Sequence, residues 1–176
     1  MALTKKQKRN LWLIVFAVGT VAILAVSDIW LFPAIERTTR GIRAFDLNPL
    51  GLSFADAKRF VQLLTEEAKR LYLQVELPLD CVFPLFYTPL FAMLMKRAYT
   101  GRRKDFLRAA PFLLAGFDYF ENGCTAYLLT HPSFTETAAS VARVATVGKS
   151  LLMYLTIAVV LWRLVKKALQ KRKKKK

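Results

Sequence analysis

The sequence predicts an all-α polytopic membrane protein, a four-transmembrane-helix bundle with an external amphipathic helix between its first two spans. Three observations predict it. The 176-residue chain is 55% hydrophobic with a mean hydropathy of +0.29, too apolar for an ordinary soluble fold and short enough for one domain. Four windows, residues 10–32, 76–96, 106–130 and 137–162, each hold the roughly 20 mostly apolar residues that a span requires. The charge is also lopsided: 19 of the 28 Lys and Arg lie at residues 5–9, at 96–108 around the join of the second and third windows, and in the basic tail at 163–176. Segment 33–75 has seven, nearly balanced by carboxylates. The positive-inside rule then puts both termini in the cytoplasm, which an even number of spans also requires.

The elements follow in order. The first window is too long for a signal peptide and lacks a small-residue cleavage site, so it is expected to be a retained span. In the next segment Ser53 is placed to cap a helix, with Asp56 as its capping-box partner. Ala57, Phe60, Val61, Leu64, Ala68 and Leu71 recur at helical spacing, and Lys58, Arg59, Glu66, Glu67, Lys69 and Arg70 fill the other faces. This predicts one amphipathic helix over residues 53–73, lying on the membrane or lidding the bundle; its functional alternative is a gate. Pro84 and Pro89 interrupt the second span and predict a kinked helix, which either fits a curved bundle or borders a cavity. Pro111 falls in the first turns of the third, where it is better tolerated. No sustained two-residue alternation supports a membrane β-barrel.

Ionisable groups inside the apolar windows carry the functional expectation, because burying them in lipid costs free energy unless they are paired or solvated. Asp118, Glu121, Asn122 and Thr125 are related by three, four and seven positions and form one stripe that must turn inward. Arg143, Val147, Ser150 and Tyr154 make a comparable stripe on the fourth span, with Lys149 to one side. Counting depth at about 1.5 Å per residue puts Tyr87, Asp118 and Lys149 at one level and Glu121 one turn further out. Asp28, Asp80 and Arg143 form an outer layer about 10 Å from the midplane. Asp118 or Glu121 is therefore predicted to contact Lys149. A cavity is predicted between spans two, three and four, lined by Tyr87, Asp118, Glu121, Asn122 and Lys149 and opening to the outer half. Asp28, Asp80, Asp118 and Glu121 outnumber Arg143 and Lys149, and sharing of protons would relieve the excess. Such a cluster suits a helix-pairing lock, a ligand or lipid-head site, acid–base catalysis or proton movement.

Other chemistries lack their residues. His131 is the only histidine and sits in a short loop beside Pro132. No zinc spacing, Gly-rich phosphate loop or nucleophile elbow is present, so no metal or cofactor is expected. Cys81 and Cys124 are expected to be buried free thiols, with a disulfide between spans two and three as the alternative. The net charge of +16 raises nucleic acid as a partner, but the cations flank spans without an aromatic-interleaved patch. Membrane lipids are the expected partners, with other membrane subunits as a further class.

The strings Leu79-Asp80-Cys81-Val82-Phe83-Pro84-Leu85-Phe86-Tyr87 and Phe117-Asp118-Tyr119-Phe120-Glu121-Asn122 resemble signatures of a family of small, mainly bacterial four-span proteins. That resemblance covers residues 45–165 and implies no activity. The plan is more loosely similar to the EXPERA group, which includes sterol isomerases and the sigma-two receptor; no site residue carries over from it. Lys173 and Lys174 resemble a dilysine retrieval signal, which implies the endoplasmic reticulum in a eukaryote; in a bacterium the tail marks the cytoplasmic side of the inner membrane. The leading functional expectation is non-catalytic: a polar intramembrane pocket that binds a lipid or lipophilic ligand, or docks a membrane partner. The alternatives are an intramembrane isomerase or lipid-modifying enzyme using Asp118 or Glu121 as acid–base, and an accessory subunit of a larger complex.

Overall fold

The structure, a computed structural model, describes residues 3–98 and 104–173. The loop cations Arg102 and Arg103 and the tail lysines Lys174, Lys175 and Lys176 lie outside the described residues. The chain is all-helical, with no strand among the described residues: α1 (Lys5–Val26), α2 (Phe32–Glu36), α3 (Phe54–Leu63), α4 (Glu66–Leu71), α5 (Leu77–Ala98), α6 (Lys104–Thr130) and α7 (Glu136–Lys173). α7 runs helically through the described part of the basic tail, to Lys173.

Two π-helical turns replace the boundaries expected at the first and second spans. Ser27–Leu31 joins α1 to α2, and Tyr72–Glu76 joins α4 to α5. Their physical cause is the same. Pro33 follows the first turn after one residue, and Pro78 follows the second after one residue. A proline has no N–H to donate, and its ring collides with the carbonyl four residues back. The wider turn makes room: Phe32 N–H reaches back to Ser27 O, and Leu77 N–H reaches back to Tyr72 O. Pro84 and Pro89, which were expected to interrupt the span, lie inside a continuous α5.

Three helical stretches are long and apolar enough to cross a membrane: Lys5–Glu36, Glu66–Arg97 and Glu136–Arg163. α6 is not among them, because Asp118, Glu121 and Asn122 interrupt its apolar run. α6 packs against both α5 and α7, while α1 packs against α5. The outer surface of this bundle is apolar: Val18 and Val21 of α1, Phe112 and Phe120 of α6, and Leu151 and Trp162 of α7 are all exposed. The buried residues of α6 include Asp118, Glu121, Asn122 and Thr125. That arrangement, polar within and apolar without, suits a lipid surround.

The amphipathic helix expected over 53–73 is two helices. Ser53 caps α3 as expected, its hydroxyl accepting from Asp56 N–H at 3.1 Å. The backbone then turns extended at Leu64, and Thr65 caps a new helix by accepting from Ala68 N–H at 3.2 Å. α3 buries Ala57, Phe60 and Val61 in an apolar core at one end of the bundle, with Phe32, Phe45, Tyr72, Leu128, Leu129 and Phe134. Phe60 meets Phe45 and Tyr72 edge to face, at 5.2 and 6.3 Å between ring centroids. α3 is therefore a lid packed on helix ends.

Candidate functional site

Lys149 stands at the centre of four carboxylates. Its Nζ lies 2.5 Å from Asp118 Oδ1, 2.6 Å from Glu121 Oε2, 3.4 Å from Asp80 Oδ2 and 3.6 Å from Asp46 Oδ1. The expected pairing is met by Asp118 and Glu121 together, since both project from one face of α6. Gly148 sets the approach: a Cβ there would run into the Phe117 ring. The residue beside each of these two, Lys149 and Asp118, is thereby brought into contact. Tyr87, buried on α5, donates from its hydroxyl to Asp118 Oδ2 at 2.8 Å.

Asp46 is a site residue that the span windows missed. It sits on the 3₁₀ turn Phe45–Leu47, in the segment outside all four windows. The chain reverses after α2 through Arg40 and Gly41, both at positive φ (52° and 89°). Glu36 Oε1 accepts from Ala44 N–H at 2.6 Å, and the Asn48 side-chain amide donates to Ala44 O at 2.7 Å. These bonds hold the turn against the bundle, and Tyr72 fixes the carboxylate by donating its hydroxyl to Asp46 Oδ2 at 2.6 Å. Glu76, four residues beyond Tyr72 on the same π-turn, is 1% exposed and was likewise missed, at the edge of its window.

Asp80, expected in the outer layer of the cluster, also meets Lys149. Three further expectations need correction. Arg143 is not in the ring: its Nε donates to Leu50 O at 3.1 Å, which ties the lid segment to α7. Gly51, at φ 64°, leaves the room for that arginine, which a Cβ would invade. Asp28 makes no ion pair among the described residues, and it lies exposed at the rim of a cavity. The inward stripe expected on α7 is shifted too: Ala142, Ala145 and Thr146 are buried, whereas Val147 and Tyr154 are exposed.

That cavity is on the other side of the ring from the expected one. It has a volume of about 200 Å³ and lies between α1, α5 and α7, not between the second, third and fourth windows. Ile23, Leu24, Phe32, Phe83 and Met153 form its apolar walls; Asp28, Asp46, Glu76, Asp80 and Lys149 supply its charged groups, and Ser27 and Ser150 add hydroxyls. Leu24 and Tyr154 are exposed as well as lining, so its mouth faces outward between α1 and α7. Tyr87, Asp118, Glu121 and Asn122 do not line it. Asn122 instead points its amide at Cys81 Sγ, 3.7 Å away. Cys81 and Cys124 are both free thiols, but Cys81 is exposed and Cys124 half-buried, against the expected burial.

Chemically, the ring joins an ammonium to carboxylates from α5, α6 and the lid segment, so it locks these parts to α7. The cavity beside it offers oxygen acceptors at the end of an apolar slot. The chain matches no known protein family, no curated relative and no solved structure.

Proposed function

We propose that the chain is a four-span membrane protein that holds a lipid or lipophilic ligand in the cavity beside Lys149. The observation that carries this reading is the cavity itself, with apolar walls, a polar end and a mouth on the apolar outer surface. Ligand sites combine mostly apolar lining with a few convergent polar groups. A helix-pairing lock accounts for the ion pairs of Asp118 and Glu121, but it requires no cavity. Acid–base catalysis by Asp118 or Glu121 draws no support from their position, since both face Lys149 and neither lines the slot. The test is native mass spectrometry of the purified full-length chain. A co-purifying lipid or lipophilic molecule is expected, and Ser150→Phe, which places a bulky ring in the wall, is expected to lose it. Equal retention in the variant sinks the proposal.

The fourth span in this reading is α6. Its exposed Phe112, Leu113, Phe117 and Phe120 present an apolar face all along its outer side, while its polar groups turn inward. With four spans, the cation asymmetry puts both termini in the cytoplasm and the lid on the opposite side. A reporter fused after Lys176 is expected to read cytoplasmic and one inserted at Asn48 non-cytoplasmic. The same side for both would overturn the topology.

A further inference from the structure

One buried carboxyl in the cavity has no cation among the described residues. Among the described residues Lys149 pairs with Asp46, Asp80, Asp118 and Glu121, but Glu76 takes part in no ion pair. Glu76 is 1% exposed, and its Oε2 has no hydrogen-bond partner. Buried polar atoms are nearly always partnered, and a solitary one asks for an explanation. Burial alone does not supply it, because this side chain lines the cavity rather than a packed interior. The other ionisable groups on the wall, Asp28, Asp46 and Asp80, are acids, and the single cation, Lys149, is already shared four ways. The wall therefore presents acceptors in excess of donors. An anionic head group would meet like charge there, a neutral one would leave part of the excess unmet, and an ammonium supplies three N–H donors and a positive charge.

We infer that the cavity selects an amphiphile with a primary ammonium head, seated against Glu76 with Asp80 and Asp46 as flanking acceptors. The inference rests on the reading of the cavity as a ligand site. Its volume of about 200 Å³ is below that of a pocket for a drug-sized molecule. It therefore holds the head and the start of an alkyl chain against Ile23, Leu24, Phe83 and Met153, with the remainder leaving by the mouth between α1 and α7. Glu76 owes its position to the π-turn, so the widened turn and the unpaired acid are one feature.

The test is a binding series on the full-length protein in nanodiscs of fixed zwitterionic lipid, with empty discs as the blank. The probes are dodecylamine, dodecanol, dodecanoate and dodecyltrimethylammonium, which share a chain and differ in head. Dodecylamine is expected to bind at least tenfold more tightly than dodecanol, with dodecanoate weakest and the quaternary ion, which lacks N–H, below the amine. Glu76→Gln is expected to bring dodecylamine down to the level of dodecanol, and Glu76→Asp to restore the preference. Equal binding of amine and alcohol, tighter binding of the carboxylate, or a preference that survives Glu76→Gln overturns the ammonium inference and leaves the ligand cavity standing. Binding of none of the four overturns the cavity reading and this inference with it. Should Glu76→Gln not fold, the ranking of the probes on the unmodified protein decides.

Discussion

Lys149→Met is expected to destabilise the protein by about 3–5 kcal/mol, because removing one partner of a buried pair strands the other charge. Here it strands several. Asp118 and Glu121 are 0% and 1% exposed at their side chains, and both lose the cation they face. Methionine keeps the length and apolar stem of lysine, so the loss is electrostatic more than steric. Adding Asp118→Asn and Glu121→Gln to the variant removes the stranded charges while keeping their shapes, and is expected to recover part of the stability. Thermal melting in detergent reads all three proteins. Unchanged melting of Lys149→Met would mean that water, not the lysine, satisfies the ring. If the triple variant melts no higher than the single one, the lysine acts through packing.

A chain ending after residue 135 is expected to leave α6 out of the membrane, an all-or-none effect on topology. In the four-span reading α6 carries Asp118 and Glu121 into the bilayer, and an acidic residue at the centre of a span costs about 2.5–3.5 kcal/mol on insertion scales. Their counter-ion lies on α7. Without it α6 has neither the composition of the three apolar stretches nor the cation that its acids face. The link between α6 and α7 is short, and Phe134 N–H closes it by donating to His131 O at 2.9 Å. The four-span reading therefore has the two helices enter as a hairpin. A glycosylation or protease-protection reporter at Ser133 is expected to read non-cytoplasmic in the full chain and cytoplasmic in the shortened one. A non-cytoplasmic reading in both would show that α6 inserts alone.

The parts of the site that could be read beforehand are those set within one helix. The spacing of Asp118, Glu121, Asn122 and Thr125 forces them onto one face whatever surrounds α6, and Lys149 was the one cation at their depth. Residues whose position depends on tertiary structure were not legible. Asp46 reaches the ring because the chain reverses at Arg40 and Gly41 and Asn48 clamps the following turn, and none of this leaves a periodic trace. Arg143 matched Asp28 and Asp80 in depth, yet its side chain turned to the Leu50 carbonyl. The cavity was assigned to the wrong helices because depth counting orders residues along the membrane normal but says nothing of which helix neighbours which. The break at Leu64 did have a signal: Thr65 precedes two glutamates, a good helix start. The apolar spacing that continued across it outweighed that signal.

The paired π-turns also bear on how the length of such a chain can vary. Each holds one residue more than an α-helical turn would, so everything beyond it is rotated by about 100° relative to an uninterrupted helix. Glu76 and the residues of α5 that follow it owe their facing to that rotation. Deleting one residue from Tyr72–Glu76 would restore the ordinary pitch, but Pro78 would then fall where a donor is required and would supply none. The extra residue and the proline are therefore a single unit of change. A relative one residue shorter at either turn is expected to lack the proline there as well, and one that keeps the proline is expected to keep the length.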